Sequence, residues 1–449
     1  MREERIEQVS KLEHDGVYRG IINAWCFYDW ANSAFVTTVA AALFPPFFRS
    51  VAMRAGLAGN EATAWWGYTV AAGLLIVALA APVLGAIADH TGGKKRYVAA
   101  FAGLGIAATA AFVSIGADTW RWAALLFILG NIGFAGANVF YESLLPHIAR
   151  DGDMDRVSTR GYALGYVGGG LLLVLNLLWV LRPAWFGLTD QVIAIKASFL
   201  SVALWWALFS IPFFRRVPEP PGVVSRLSGL SPVRAGFARL RETLAEVRRY
   251  RQLTLFLLAF WIYNDGIGTI IKMATAYGSE LGIGVTDMTF ALVITQFVGI
   301  PCALLFGGLA ARIGTKRSIL VALGGYALIC CAGYFMRTAW HFYLLALLVG
   351  TVQGGSQALS RSLFGVLVPK RKSAEFFGFF STGEKFSGIF GPLLFGLISH
   401  WMGESRLGIL ALILFFTVGG GLLALVDVPR GMAEGRGAEP PPRQPVTAP

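Results

Sequence analysis

The stretch GAIADHTGGKKR, residues 85–96, is the most informative part of the sequence for the fold, because a related stretch, GGLAARIGTKR, recurs at residues 307–317. Each has a glycine, a second glycine seven residues later and then adjacent basic residues. The first stretch follows the second long apolar run of the chain, and the second stretch follows the eighth. Because duplicated six-helix halves are one way to build a transporter, this spacing predicts two related, pseudo-symmetric halves.

The composition requires a lipid environment. The chain has 449 residues, of which 55% are hydrophobic and 14% are charged, and its mean hydropathy is +0.61. Soluble domains carry about 25% charged residues, and a membrane-spanning helix needs about 20 mostly apolar residues. Because lipid offers no partner to an unpaired backbone, each such run must be a helix. Twelve runs qualify, at about 22–48, 65–88, 97–115, 121–146, 160–181, 193–214, 253–276, 287–309, 318–336, 341–367, 375–398 and 408–426. The sequence therefore predicts an all-α membrane protein with twelve transmembrane helices.

The basic residues indicate the orientation. With the N-terminus in the cytoplasm, the cytoplasmic loops hold most of the Lys and Arg residues, including 94–96, 370–372 and the arginine-rich segment 215–251. The positive-inside rule then places both termini in the cytoplasm. The formal net charge of +12 belongs to the membrane surface, so we expect no nucleic-acid partner.

These features divide the chain into five segments. Residues 1–20 form a polar cytoplasmic segment, 21–214 the first six-helix half, 215–252 a linker, 253–428 the second half, and 429–449 a disordered cytoplasmic tail rich in Pro and Gly. The linker contains an amphipathic basic helix. This helix either lies on the lipid surface or is an ordinary linker helix with a solvated basic face.

The repeated stretch resembles the signature cytoplasmic loop of the major facilitator superfamily. In that family the loop is a gate whose acidic residue bonds to neighbouring helices when the outside is open. The resemblance implies this role for the first copy, at Gly85, Asp89, Gly92, Lys94, Lys95 and Arg96. The second copy departs from the pattern, because Ala311 stands at the acidic position.

Other segments resemble the vacuole-effluxer-like branch of the superfamily, which includes yeast vacuolar amino-acid effluxers and bacterial permeases. They are YDWANSAF at 28–35, FPPFF at 44–48, GTVQGGSQALSRS at 350–362, FFGFFSTGEKF at 376–386 and GPLLFG at 391–396. The resemblance implies efflux of small metabolites, amino acids first. It also implies a location in the bacterial cytoplasmic (inner) membrane.

Charges inside the apolar runs are the candidate functional groups. A charge in the hydrocarbon core costs about 2.5–3.5 kcal/mol on insertion scales, so such residues usually mark function. Asp29, Asp265 and Glu384 are the candidates for carrying a coupled proton. Each could instead bond neighbouring helices and stabilise the fold. Glu142 and Arg361 lie near cytoplasmic helix ends, which favours a gate pair over substrate contact.

Polar stripes predict the surface of the substrate cavity. Gln353, Gln357 and Arg361 recur at i, i+4, i+8 on one run, which places them on one helix face. In the superfamily, helices 1, 4, 7 and 10 line the central cavity, and most of the polar candidates fall in these runs. The cavity candidates are Trp25, Asn32, Asn131, Asn138, Tyr263, Asn264, Gln353, Gln357 and Lys385.

These observations predict a secondary active transporter rather than an enzyme. It works by alternating access and exports small polar metabolites such as amino acids with proton coupling. The rivals are a multidrug or toxic-compound exporter and a lipid flippase on the same fold. The four cysteines and five histidines show no ligand spacing, and the glycine runs lack a P-loop context. We therefore expect no metal and no cofactor. The expected partners are a small solute, protons and the lipid bilayer, with the chain acting as a monomer.

Overall fold

The computed structural model describes residues 2–57, 59–150, 152–220, 250–381, 390–391, 394, 398 and 405–437, and these are almost entirely helical. The helices that build the bundle are α1 (Arg2–Ala34), α2 (Gly59–Thr91), α3 (Lys94–Ala110), α4 (Trp120–Ser143), α5 (Met154–Leu181), α6 (Gln191–Arg216), α7 (Arg251–Glu280), α8 (Val285–Ile313), α9 (Thr315–Tyr334), α10 (Ala339–Leu367), α11 (373–381), α12 (Ile413–Ala424) and α13 (Val428–Arg436). A π-helix, Phe35–Leu43, and a short helix, Phe44–Arg54, continue α1. The remaining pieces are the short helices Leu145–Ile148 and Ser405–Ala411 and the 3-10 turns Ala111–Ser114, Pro183–Phe186 and Lys370–Lys372.

The fold class predicted from the apolar runs is confirmed. Among the described residues, ten helices are long and apolar enough to cross a membrane, or eleven if a bent pair, Tyr68–Ala81 with Val83–Asp89, counts as one span. The predicted run 375–398 lies largely outside the described residues. The count of twelve helices therefore stays a prediction, and the ten or eleven described spans are compatible with it.

The two halves have separate apolar cores. One cluster of buried side chains runs from Ile22 to Val217 and includes Ala374, and another runs from Tyr250 to Val426. Large apolar side chains remain exposed on the outside of the bundle, with Leu204 on α6 and Leu328 on α9 at 63% and 71% exposure. Exposed apolar surface on this scale is expected where lipid replaces water.

Each signature loop has a glycine with positive φ and a lysine that binds the last helix of its own half. Gly92 and Gly314 have φ values of 70° and 90°, in the left-handed region that favours glycine, so the helices can turn sharply there. Lys95 donates to the carbonyl oxygens of Phe214 and Val217 at 2.9 and 2.6 Å, at the end of α6. The pseudo-symmetry predicted from the repeat is visible here, because a lysine of the second loop makes the same kind of contact in its own half.

Lys316 is the counterpart of Lys95 in the second half. It donates to the carbonyl oxygens of Ala424 and Val426 at 3.1 and 2.9 Å, at the end of α12. A lysine at a helix C-terminus satisfies carbonyls that have no partner within the helix and lies favourably in the helix dipole. Each loop therefore anchors the last helix of its own half.

The π-helix within the first span has a local cause. Pro45 and Pro46 lack the N–H groups that would bond back into the preceding turn, so the helix before them loses regular partners. The Thr37 hydroxyl donates to the carbonyl oxygens of Ser33 and Gly169, both at 3.1 Å, and so ties this wider segment to α5. Single π-helical segments inside α-helices often mark functional regions.

The structure corrects part of the predicted C-terminal tail. Residues 429–436, which the composition assigns to a disordered tail, belong to α13. Asp427 caps this helix by accepting from the N–H of Arg430, and the backbones of Gly431 and Gly435 lie close against Leu367. The small residues that suggested disorder are therefore used for close packing. Residues 438–449 and the predicted amphipathic helix, within 221–249, lie outside the described residues.

Candidate functional site

One end of the bundle carries most of the polar contacts between the halves. We call it the termini end, because α13 lies there together with the first membrane-embedded turns of α1. The α2–α3, α4–α5, α8–α9 and α10–α11 connections lie at the same end. Below, the first half is α1–α6 and the second half is α7–α12.

Arg361 on α10 joins the halves at a buried point. Its Nε and one terminal nitrogen donate to the hydroxyl and carbonyl oxygens of Ser158 on α5, both at 2.9 Å. Its other terminal nitrogen lies 3.2 Å from Asp29 on α1 and 3.9 Å from Glu142 on α4. One side chain of the second half thus binds three helices of the first.

Aromatic rings surround the Arg361 guanidinium. Its central carbon lies 4.9 Å from the ring centre of Trp25 and 4.3 Å from that of Tyr162. Trp25 is held by Tyr141, whose ring stacks on it at 4.5 Å and whose carbonyl oxygen accepts from the indole N–H at 3.2 Å. Cation–π contacts on this scale stabilise a desolvated cation by about 2 kcal/mol.

The burial of this cluster explains why its members need one another. Arg361 is 1% exposed, so its charge is almost fully removed from water. Removing one partner of a buried pair typically costs 3–5 kcal/mol. Gly161 on α5 leaves the space for the pair, because a Cβ there would lie 2.5 Å from Asp29 and 2.9 Å from Arg361. The Asp29 and Glu142 side chains keep 14% and 17% exposure, so neither is enclosed as fully as Arg361.

The first signature loop fastens α2 to the start of α11. Asp89 pairs with Lys94 at 2.9 Å and accepts from the N–H of Glu375 at 2.9 Å. Lys94 also donates to the Ser373 hydroxyl at 2.5 Å. A carboxylate at a helix N-terminus satisfies free N–H groups and interacts favourably with the helix dipole. The contact therefore holds the second half against the first.

The contact between α2 and α11 requires a glycine at position 85 of the first loop. A Cβ at Gly85 would lie 2.3 Å from the carbonyl oxygen of Ala374. His147, after α4, completes the region with Nε2 at 3.1 Å from Lys94 Nζ and 2.9 Å from Ser373 Oγ.

The second signature loop also makes an acid-dependent contact between the halves, but its acid is transposed: it comes from α5 of the other half instead of from the loop itself. Thr315, the first residue of α9, donates to Asp155 at 2.6 Å, and Ser362 on α10 donates to the other oxygen of the same carboxylate. A Cβ at Gly307 would lie 2.6 Å from the Thr159 hydroxyl on α5, as Gly85 faces α11 in the other half. The acid that Ala311 cannot supply thus comes from α5 on the opposite side of the interface. The lack of an acid in the second copy therefore does not remove an acid-dependent contact from it.

Acceptors and donors are unevenly divided across this interface. In the described part of the chain, the carboxylates that accept from the other half belong to the first half: Asp29, Asp89, Glu142 and Asp155, with Lys94 as a partly offsetting cation. The second half contributes donors to them: the guanidinium of Arg361, the N–H of Glu375, and the hydroxyls of Thr315 and Ser362.

The structure brings Asp29, Glu142, Arg361 and Trp25 into one cluster, although the sequence assigns them to proton coupling, gate and cavity separately. Among the other predicted gate residues, Asp89 and Lys94 bind across the interface, while Lys95 anchors α6. Arg96 is exposed at the start of α3.

The remaining first-half candidates lie between helices of their own half. Asn32 on α1 donates to Asn138 on α4 at 2.7 Å and is 3% exposed. Asn131 lies against Gly73 of α2, where a Cβ would meet its amide nitrogen at 3.1 Å. These amides therefore hold α1, α2 and α4 together.

Second-half candidates are likewise engaged in packing. The Tyr263 hydroxyl lies 2.6 Å from that of Ser360, joining α7 to α10, and Asn264 is 8% exposed. Asp265 is 2% exposed and accepts from the N–H of Gly391 at 2.9 Å. Gln353 and Gln357 are half-buried on α10.

Two predicted residues are outside this description. Glu384, predicted as a proton carrier, and Lys385, predicted as a cavity residue, lie outside the described residues.

Sequence reasoning does not find the hydroxyl partners. Ser158, Thr315, Ser362 and Ser373 carry no charge and do not interrupt an apolar run, so hydropathy gives no signal for them. Asp155 is charged but sits among loop residues, where an acid is ordinary. The signal that could have found Asp155 is its place in the chain. It is the second residue of α5, and α5 faces the signature loop that lacks an acid.

The apolar helices, the two related halves and the buried contacts between them define a membrane transporter of the major facilitator type. Comparison with family models makes this more specific. Residues 18–436 match the model described as "Vacuole effluxer Atg22 like", and the chain belongs to this family. Proteins of this class are transporters and not enzymes.

Individual relatives agree with this assignment. An uncharacterized MFS-type transporter of Bacillus subtilis, YxiO, is 40% identical over 412 residues, which cover 90% of this chain and 94% of that protein. Autophagy-related protein 22 of Yarrowia lipolytica is 29% identical over 310 residues, covering 62% of this chain and 51% of that protein.

Solved structures show the same fold at low identity. The proton:xylose symporter XylE superposes with a TM-score of 0.71 at 13% identity, covering 92% of this chain and 96% of that one. The human organic anion transporter MFSD10 gives a TM-score of 0.68 at 13% identity, covering 90% and 99%.

Proposed function

We propose that the chain is a secondary active transporter that works by alternating access and exports small polar metabolites, amino acids among them, with proton coupling. The observation that carries the proposal is the shared partner of Asp29. The same buried guanidinium that joins the two halves is also the one that Asp29 neutralises. A proton on Asp29 would weaken its ion pair with Arg361. Proton binding would thus loosen the same arginine whose contacts must break when the interface opens.

The gate contacts support alternating access. Asp89 with Glu375 and Asp155 with Thr315 close the two sides of the termini end around Arg361. Each contact crosses from one half to the other, so rocking of the halves breaks all of them together. Polar contacts of this kind are regained with water on opening, which keeps the two states within a few kcal/mol of each other.

The proposed orientation places the termini end in the cytoplasm of the bacterial inner membrane. The basic residues of both signature loops lie at this end, as the positive-inside rule requires. The state with these contacts made is then closed to the cytoplasm. A solute bound in the opposite state, with the contacts broken, would enter from the cytoplasm and leave on return.

Transport by purified protein in proteoliposomes tests the proposal. A panel of radiolabelled amino acids is loaded and an imposed pH gradient drives their movement, with Asp29→Asn compared with the wild type. We expect gradient-driven transport to fall to background in Asp29→Asn while exchange of solute without a gradient persists. Asp118→Asn, in the exposed α3–α4 connection, is the matched control and should transport normally. Undiminished gradient-driven transport by Asp29→Asn contradicts the proposed role.

A cavity in the second half favours one rival, a multidrug or toxic-compound exporter. It has a volume of about 120 Å³ and is lined mainly by apolar side chains such as Ile270, Met273 and Phe342, with Gln353 at its edge. The cavity is close to the Arg361 cluster, because Gln353 in its lining precedes Arg361 by eight residues, about 12 Å along α10. Susceptibility of a deletion strain to a panel of apolar toxic compounds separates the rivals. Hypersensitivity relieved by the wild-type chain, without amino-acid transport, supports the multidrug function.

A further inference from the structure

A charged cavity, distinct from the apolar one in the second half, lies at the termini end between α1 and the start of α5. It has a volume of about 560 Å³. Four arginines line it, Arg19, Arg150, Arg156 and Arg160, together with two aspartates, Asp15 and Asp153. Its lining therefore has an excess of two positive charges, and none of these residues belongs to the Arg361 cluster. We call it the α1–α5 pocket.

The two aspartates of the α1–α5 pocket are already engaged along one wall. Asp15 accepts from Arg150 at 2.8 Å, and the Tyr18 hydroxyl donates to Asp153 at 2.9 Å. The Arg150 guanidinium also lies 4.2 Å from the centre of the Tyr18 ring. These contacts hold the wall together without using the other three arginines.

The other three arginines face the pocket from two helices. Arg156 and Arg160 are one turn apart on α5, and Arg19 lies on α1. All three are exposed, and no carboxylate in the described part of the chain forms an ion pair with any of them. Guanidinium groups bind phosphate through paired, charge-assisted hydrogen bonds. The unmatched positive charge is therefore suited to a phosphate-bearing anion.

The position of the pocket favours a lipid as the source of the phosphate. The apolar runs of the first and fifth predicted spans begin at about residues 22 and 160, so the pocket lies next to the ends of two apolar runs. Val17, on α1 between Asp15 and Arg19, is 65% exposed, as expected for a side chain against acyl chains. Basic pockets between transmembrane helices on the cytoplasmic side bind anionic head groups.

We propose that the α1–α5 pocket is a binding site for the phosphate group of an anionic phospholipid. None of the four arginines is a proposed coupling or gate residue, so this proposal does not depend on which solute is transported. A lipid bound there bridges α1, which carries Asp29, and α5, which carries Ser158 and Asp155. Its occupancy would stiffen the first half on the side that binds Arg361.

Lipid binding by the full-length protein in neutral detergent tests the proposal. Native mass spectrometry measures the affinity for dioleoylphosphatidylglycerol and, in a parallel titration, for inorganic phosphate. We expect the wild type to bind the lipid, and the double variant Arg156→Gln/Arg160→Gln to bind it at least tenfold more weakly, a change of about 1.4 kcal/mol. The matched control is Arg312→Gln/Arg317→Gln, which removes two exposed arginines from the same end of the second half. It should bind the lipid as the wild type does.

Each other outcome overturns the proposal. Equal lipid affinity of all three proteins removes the pocket as the site, and absence of lipid binding by the wild type removes the site altogether. Tight binding of inorganic phosphate with the same dependence on Arg156 and Arg160 makes a free anion the ligand. If the double variant does not fold, Arg19→Gln, on the other wall, replaces it in the same comparison.

Discussion

Replacing Asp155 by alanine isolates the contact that the second signature loop makes across the interface. The carboxylate accepts from Thr315 and Ser362, both in the second half, and lies itself at the start of α5 in the first. The substitution leaves the buried Arg361 and its partners in place. Its effect should therefore fall on the balance between closed and open termini ends, rather than on the fold of either half.

The geometry sets the size of the effect. Hydrogen bonds to a charged group contribute about 1.5–3 kcal/mol each, net of the water they displace. Losing two of them removes about 3 kcal/mol from the closed state at the lower bound. The ratio of closed to open molecules should then fall roughly 150-fold.

Spin labels on the two signature loops measure this ratio. Arg96→Cys and Arg317→Cys place nitroxides on exposed positions of opposite halves at the same end, after Cys26, Cys302, Cys330 and Cys331 are replaced. Pulsed dipolar spectroscopy then reports the distance distribution. A single short distance in the parent should become a mixture with a large, longer component in Asp155→Ala.

Asp153→Ala is the matched control, because it removes the same charge two residues earlier. Asp153 accepts from Tyr18, in the same half, so this hydrogen bond does not cross the interface. The control should retain the parent's distribution. An unchanged distribution in Asp155→Ala, or an equal shift in both variants, would refute the role assigned to this carboxylate.

Two further predictions use the same geometry. Gly85→Ala places a methyl group 2.3 Å from the carbonyl oxygen of Ala374, so it should reduce the closed population in the spin-label experiment, whereas Gly103→Ala, with open space around it, should not. A closed population that survives Gly85→Ala would mean that α2 and α11 are not held this closely. Lys95→Met and Lys316→Met each lose two hydrogen bonds to helix-end carbonyls. Because both lysines are half-buried and water screens their charge, each variant should lower the free energy of unfolding by only about 1–2 kcal/mol, and the two should show falls in melting temperature of similar size. A marked effect of one lysine alone would contradict the equivalence of the two loops.

Much of the fold follows from the sequence, because bilayer thickness and backbone hydrogen bonding constrain each helix locally. The repeat of the signature loop adds the relation between the halves. Asp29, Glu142 and Arg361 also stand out, since a charge in an apolar run needs a reason.

The arrangement of these residues does not follow from the sequence in the same way. Position along a run predicts depth, so the sequence predicts Asp29 in the middle of the membrane and Glu142 and Arg361 at the gate. Arg361 reaches both Asp29 and Glu142 because its side chain is long and Gly161 leaves room beside it. The transposed acid, Asp155, depends on which helices of the two halves face each other, and that is a property of the assembled bundle.

The polarity of the interface has a consequence for how the halves recognise each other. A pair of first halves would bring Asp29, Asp89, Glu142 and Asp155 against a second set of the same carboxylates. A pair of second halves would leave Arg361 and the hydroxyl donors without the four carboxylates that accept from them here. Each half therefore disfavours a copy of itself and accepts the other, as charge complementarity requires. Expressed as two separate polypeptides, the halves should therefore reassemble as a heterodimer rather than as two homodimers.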